Sequence, residues 1–386
     1  MRIAGIICEY NPFHNGHEYL VKQAKKDGCA VVAVMSGSYT QRGELAIADK
    51  YTRAEAAVRC GVDLVLELPF PYCMSSAEFF ARGGVAVLER VGTHRIYFGS
   101  ESGDIELIRE AAKAAASEEF ALARESVSHK DGSAHSYFDA LGKVIGKSVD
   151  MLSNDILGIE YIKEIMRRGL TVEPLAVKRV GDGYRDEVAE SDFASATAIR
   201  KILISGNETD RYLPTSSLER LLTAVKSGEA PVESKNIERA LLAFWRMTNP
   251  ASLADIAELG NGLEYRLKDA ALSSSSLEEF ENNAATKKYT AAKIRRAILF
   301  GILGVTKADL DAEPEYTWVL AANKRGREIL SDLRRGEDEM RIVTKSADAP
   351  NCRQYELSAR ADALYTLAMP KPQNSGYLTK KKIYIE

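Results

Sequence analysis

Ile3-Ala4-Gly5-Ile6-Ile7-Cys8-Glu9-Tyr10-Asn11-Pro12-Phe13-His14-Asn15-Gly16-His17 runs an apolar, β-branched stretch into a tight turn, and an amphipathic pattern from Glu18 to Lys26 follows at once. A short apolar run closed by a turn and followed by 3.6-residue periodicity reads as a buried strand feeding a helix. A helix start carries unpaired N–H groups and the positive end of the helix dipole, so the junction suits a phosphate. His14 and His17, two of the five histidines in the chain, stand three residues apart. That spacing places both imidazoles on one face of the first turn, where each can donate to the same anion. Gly16 lets the backbone approach closely. Capping or surface roles would explain either histidine alone, but strand, turn and glycine together read as a triphosphate cradle. A zinc site would need further ligands, and no carboxylate or cysteine cluster supplies them.

Outward from this stretch, strand patterns recur at Ala30–Met35, Leu64–Leu68, Arg95–Phe98 and Pro174–Lys178. Helical patterns alternate with them at Tyr51–Arg59, Ala77–Arg90, Ile105–Ala116, Ile156–Arg168 and Thr197–Ser205. Such alternation predicts an α/β fold, a Rossmann-like parallel sheet with right-handed crossovers and a ligand crevice at its carboxyl edge. Beyond about residue 208 the strand pattern fades. Asn236–Met247, Leu253–Leu259, Ala291–Leu303 and Lys324–Leu333 read as helices, and the serine-rich 270–283 stretch as a connection. A last mixed segment, Met340–Thr344 to Tyr355–Met369, reads as a strand before its helix. The chain therefore divides, on sequence, into 1–208 and a mainly helical region 209–386.

At 386 residues the chain exceeds one typical compact domain. Its hydrophobic content of 45% and charged content of 28% are ordinary globular values. No apolar run is long enough to span a bilayer and no signal-peptide pattern opens the chain, which argues against a membrane and for the cytoplasm. Five scattered cysteines suit buried thiols rather than disulfides. Residues 281–386 carry 19 Lys/Arg against 14 Asp/Glu, a charge of +5 on a body of −8. A basic C-terminal part on an acidic body hints at a polyanionic partner.

Polar loops follow the other strands. Ser36-Gly37-Ser38-Tyr39-Thr40-Gln41-Arg42-Gly43-Glu44 comes after the second, and Arg42 can hold a carboxylate or phosphate bidentately. Glu67-Leu68-Pro69 follows the third and Phe98-Gly99-Ser100-Glu101 the fourth, where a glycine lets a nucleotide lie on the backbone. Asn154 and Asp155 stand at a helix start, and Arg179 ends the fifth strand, with Gly181 and Gly183 beyond it. Ser195-Ala196-Thr197-Ala198-Ile199-Arg200 joins two capping hydroxyls to an arginine at the start of a further helix.

His14-x-Gly16-His17 with Ser195-x-Thr197-x-Ile199-Arg200 resembles the HxGH nucleotidyltransferase superfamily. The run Glu9–His17, with Gln41–Glu44, Glu67–Pro69, Phe98–Glu101, Ile156–Tyr161 and Ser195–Arg200, is similar more closely to the bacterial tRNA(Met) cytidine acetate ligase family. The likeness continues thinly through Lys288-Tyr289-Thr290 and Asn323–Glu328. The chain departs from that family's pattern at Ser38-Tyr39, where Asn-Phe is expected, and at Asp155, where a second Asn is usual.

The resemblance implies activation of acetate by ATP as acetyl-adenylate, followed by acetylation of N4 of the wobble cytidine in elongator tRNA(Met). It implies an ATP site built from Ile7, Cys8, Glu9, Tyr10, Asn11, Pro12, Phe13, His14, Asn15, Gly16, His17, Glu18, Tyr19 and Leu20. Gly99, Asn154, Arg179, Ser195 and Thr197 complete it. His14, His17 and Arg200 would stabilise the phosphates and the departing pyrophosphate, Mg²⁺ would arrive with the nucleotide, and Gln41 and Arg42 would flank acetate. Two basic clusters would hold tRNA: Lys287, Lys288, Lys293, Arg295 and Arg296, then Lys324, Arg325 and Arg327. Two other readings stand beside this one: a small-molecule adenylyltransferase making a dinucleotide cofactor, and a non-catalytic RNA-binding protein. The sequence does not set the oligomeric state.

Overall fold

A computed structural model describes residues 1–126, 133–146, 153–179, 194–333 and 340–386. Gly181 and Gly183 lie outside them. Five parallel strands form the centre: β1 (Ile3–Cys8), β2 (Ala30–Ser36), β3 (Leu64–Leu68), β4 (Arg95–Ser100) and β5 (Glu173–Lys178). Their spatial order is β5-β4-β1-β2-β3. The chain builds outward from β1 to β3 and then crosses to β4 on the other side, so the order reverses at β1/β4 and opens a crevice there. Every residue of β1, β2 and β3 is buried, as expected of strands covered on both faces. The Ala77–Arg90 helix lies close on β1 because glycines meet it there. A Cβ on Gly84 would stand 2.7 Å from the Ile7 side chain, and one on Gly5 2.6 Å from Leu88.

The expected first-half strands and helices all form, with ends that differ by a few residues. The first helix begins at Asn15 rather than Glu18, because the His14 side chain accepts the Gly16 N–H and caps it. The second half is mainly helical but adds three strands. β6 (Tyr316–Ala322), not anticipated from sequence, pairs antiparallel with β3. β7 (Arg341–Val343) and β8 (Tyr384–Ile385) both pair parallel with β6. Two other expectations fail. Leu253–Leu259 is not a helix: after a short 3₁₀ turn at Pro250–Leu253, Ile256 bridges to Thr306 and Glu258 takes a left-handed backbone (φ 64°). The 270–283 stretch is largely helical, within Leu263–Ser273 and Leu277–Ala284, and only the three serines between them connect. One apolar core runs from Ile3 to Leu378 through both halves of the chain.

Asp63, just before β3, ties the halves together at the amino edge of the parallel strands. Its buried carboxylate accepts from Lys25, from the Val31 N–H at 2.7 Å and from Asn323 Nδ2 at 2.9 Å. A second tie lies at the carboxyl edge. Lys50 Nζ donates to Glu67 at 2.8 and 3.0 Å and to Asp362 at 2.9 Å, all buried. Burial opposes the charge on Lys50, but Asp362 and Glu67 more than offset it and raise its pKa. Ser38 Oγ donates to the same Asp362 at 2.5 Å, and the Tyr39 hydroxyl to the Ala361 carbonyl at 2.9 Å. Ser38 and Tyr39 thus strap the loop after β2 to the Arg353–Leu367 helix.

Candidate active site

The carboxyl ends of β1, β4 and β5 and the loop after β2 surround one cleft of about 760 Å³. At its centre stands the histidine pair. The Gly16 N–H donates to Nδ1 of His14 at 3.1 Å, and the His14 N–H donates to Nδ1 of His17 at 3.2 Å. Both Nδ1 atoms therefore act as acceptors, which fixes the proton of each neutral ring on Nε2, on the side away from the turn. The rings stack with centroids 3.7 Å apart and line the cleft together. Burial, helped by the Arg179 cation, pulls the His14 pKa down to about 3. Burial, then His14 and Arg179, holds His17 well below its ordinary value. The cradle is a pair of neutral N–H donors.

The sequence around the pair serves to position it. Tyr10, in a left-handed backbone (φ 45°), and Phe13 are buried and set their rings 4.9 and 5.7 Å from His17. Gly16 gives the His14 ring its place, since a Cβ there would lie 2.9 Å from Cε1. Asn11 accepts the Ile47 N–H at 2.7 Å, and Asn15 donates to the Arg211 carbonyl at 2.9 Å.

On the β4/β5 side the cleft is lined by Gly99, Glu101, Asn154, Lys178 and Arg179. Glu101 supplies what the helix start lacks: it accepts the N–H groups of Asn154 and Asp155, each at 3.1 Å, and the Asn154 side-chain amide. Asp155 turns away from the cleft and is buried, accepting from Ser100 Oγ and from the Ser102 N–H at 3.2 Å. It fixes the turn after β4.

On the β2 side stand Gln41, Arg42, Glu44, Thr197 and Arg200. Arg200 donates to the Asn11 carbonyl at 3.0 Å, to Glu44 at 3.0 Å and to Thr197 Oγ1 at 3.2 Å. Ser195 caps the helix that carries it, accepting the Ala198 N–H at 3.2 Å. The Ala291–Leu303 helix closes this wall, contributing Ala292, with Thr290 at its cap. Arg295 donates to the Arg42 carbonyl at 3.2 Å, and Arg296 to the Gln41 carbonyl at 3.3 Å.

Of the residues named from sequence, Ile7, Cys8, Glu9, His14, Gly16, His17, Tyr19 and Leu20 line the cleft. So do Gly99, Asn154, Arg179, Ser195, Thr197, Arg200, Gln41 and Arg42. Tyr10, Asn11, Pro12 and Phe13 are buried behind the lining, and Glu18 pairs with Lys22 on the helix surface. The two basic clusters separate. Lys287 and Lys288 are exposed beside Thr290, and Lys288 and Lys293 approach the Tyr289 ring at 5.2 and 5.7 Å. Arg295 is half-buried, while Arg296 is buried and paired with Glu258 at 2.6 Å. Lys324, Arg325 and Arg327 are exposed at the far edge of the sheet, since β6 runs antiparallel to β3 and ends beside its start. Ala77, Phe80 and Ala292 also line the cleft, and nothing in the local sequence marks them.

The model for HIGH Nucleotidyl Transferase matches residues 1–380. A tRNA(Met) cytidine acetate ligase of Acetivibrio thermocellus is 33% identical over 96% of both chains. The chain belongs to the tRNA(Met) cytidine acetate ligase family. The Caldicellulosiruptor saccharolyticus member is 37% identical over 89% of this chain and 87% of its own. Among solved structures, Thermotoga maritima TmcAL bound with alpha-thio ATP superposes with a TM-score of 0.89 at 31% identity, covering 100% of this chain and 99% of that one.

Proposed function

We propose that this chain joins acetate to ATP as acetyl-adenylate and transfers the acetyl group to N4 of the wobble cytidine of elongator tRNA(Met), in the cytoplasm. The observation that carries the reading is the stacked pair of neutral imidazoles, both with Nδ1 engaged, at the head of a helix between two charged walls. In the first step the acetate oxygen attacks the α-phosphate and pyrophosphate leaves. Charge gathers on phosphate oxygens, and fixed donors aimed there stabilise it without reorganising. His14 and His17 supply two such donors. Arg200 and the hydroxyls of Ser195 and Thr197 receive the leaving pyrophosphate, while Arg179, Gly99 and Asn154 hold the nucleotide. Gln41 and Arg42 stand where acetate enters. Mg²⁺ carried by the triphosphate would supply further charge neutralisation. Glu44 is held by Arg200 and Arg295 and Glu101 by the helix start, so a metal in the cleft would be held by phosphates and water.

Residues 1–208 carry this chemistry and 209–386 engage the tRNA. Lys288 and Lys293 beside the Tyr289 ring, with Lys287 exposed in the same stretch, lie next to the cleft wall, a basic and aromatic edge suited to an unstacked base. The test is incubation with ATP, Mg²⁺, acetate and unmodified elongator tRNA(Met), then nuclease digestion and mass spectrometry. N4-acetylcytidine that depends on both ATP and acetate supports the reading. Its absence, with pyrophosphate released on nicotinamide mononucleotide or phosphopantetheine, replaces it with a small-molecule adenylyltransferase.

A further inference from the structure

Three carboxylates line the cleft, and their bonding differs. Glu101 is occupied by the helix start beyond β4. Glu44 is held between Arg200 at 3.0 Å and Arg295 at 3.6 Å. Glu9 accepts one N–H, from Gln41 at 2.8 Å, and among the described residues no other hydrogen bond or ion pair reaches its side chain. It keeps accessible surface toward the cleft while protein surrounds it elsewhere.

Its place in the sheet adds to this. Glu9 follows β1, the strand at which the order reverses. Gly99, Asn154 and Arg179 lie on one side of it, and Gln41, Arg42 and Arg200 on the other. A group at that seam faces both the nucleotide and whatever enters along the loop after β2.

The acetyl-transfer step requires a proton acceptor. An exocyclic amine conjugated with its ring is a weak nucleophile, and on bonding to carbon it becomes acidic and must lose a proton. Neither histidine can take it: each Nδ1 is engaged and each Nε2 already carries hydrogen. Burial raises the Cys8 thiol far above the neutral range.

We propose that Glu9 is the general base of acetyl transfer, removing the proton from the cytidine amine as it attacks the acetyl-adenylate. The proposal rests on the acetate-ligase reading above. The amine nitrogen bonds to the acetyl carbon, one N–H proton passes to the Glu9 carboxylate, and the bond from carbon to the phosphate oxygen breaks. AMP leaves with that electron pair, and Glu9 then returns its proton to water. A base works best with a pKa near the operating pH. Burial raises that of Glu9, opposed by the Gln41 N–H and the Arg200 and Arg42 cations and assisted by Glu44. Cys8, Arg53 and Tyr161 complete the titratable groups that sense it.

The experiment uses full-length wild type, Glu9→Gln and Glu9→Asp, with acetate-dependent ATP–pyrophosphate exchange for the first step and single-turnover acetylation of tRNA for the second. Gln keeps the acceptor for Gln41 and removes the base. We expect E9Q to lose about 10²- to 10⁴-fold in transfer, well beyond whatever it loses in exchange. Wild-type transfer rises with pH to a plateau, E9Q loses that limb, and E9D keeps it at an intermediate rate. Transfer by E9Q within a few-fold of wild type overturns the proposal, as does an equal loss in both steps. If E9Q does not fold, E9D decides: loss of the pH limb there refutes the role. A wild-type chain that shows neither exchange nor transfer removes the acetate-ligase reading and the role of Glu9 with it.

Discussion

Lowering the pH tests the neutral state of the cradle directly. The His14 pKa lies at about 3 in the folded chain, against about 6.5 for an exposed imidazole. Between those values the unfolded chain binds a proton that the native chain does not, so stability rises with pH across that window. The contribution is complete above about pH 6.5 and is lost as the pH falls from there toward 3. Between pH 7 and pH 5, His14 alone costs about 2 kcal/mol of folding free energy. His14→Gln does not titrate, so its stability should fall by about 2 kcal/mol less than wild type over the same interval. Equilibrium urea unfolding of both proteins at pH 7 and pH 5 measures this as a difference of differences. The whole chain carries other titrating groups, and the comparison cancels all that do not sense His14, His17 being one that does. Equal losses in the two proteins refute the buried, neutral assignment. A pH–rate limb near 6.5 in pyrophosphate exchange that His14→Gln removes would refute it as well.

His17→Ala removes one cleft donor and should lower acetate-dependent exchange by about 10²- to 10³-fold, with tRNA affinity by filter binding nearly unchanged; equal loss of both contradicts the division of labour. Lys50→Met leaves Glu67 and Asp362 facing each other without their cation, and should cost about 3–5 kcal/mol in urea unfolding. A loss under about 1 kcal/mol would mean that the triad does not hold the loop after β2. Gly326→Ala drives a Cβ to 2.1 Å from the Asp63 carbonyl and should cost about 1–3 kcal/mol. Because that contact sits at the edge away from the cleft, exchange below the melting temperature should be retained, and a fall in exchange without a fall in stability would count against this placement.

The first half of the fold was legible because its signals are local. β1 is a run of six buried residues, its turn and helix cap lie within nine residues of it, and the same grammar repeats through β5. The candidate cradle was legible for the same reason, since His14 and His17 bond only to their own turn through Nδ1. β6 was not legible. Tyr-Thr-Trp-Val-Leu-Ala-Ala is a short, wholly buried run, and periodicity cannot separate such a run from buried helix. Its strand state comes from β3, about 250 positions earlier.

The same contrast divides the site. The sequence by itself determined a Rossmann-like sheet, the histidine pair and the capped Ser195–Arg200 helix, because hydrogen bonds within a turn depend on neighbouring residues. Only the tertiary structure decided which charges face the cleft. Lys293, Arg295 and Arg296 read as one basic run, yet Arg296 is spent on Glu258 and the Gln41 carbonyl, and Arg295 on Glu44, Glu281 and the Arg42 carbonyl. Ser38, Tyr39 and Lys50 meet Ala361 and Asp362 only after the chain has closed. A buried charge needs a partner whose position in sequence is arbitrary, so its partner becomes visible only in the folded chain.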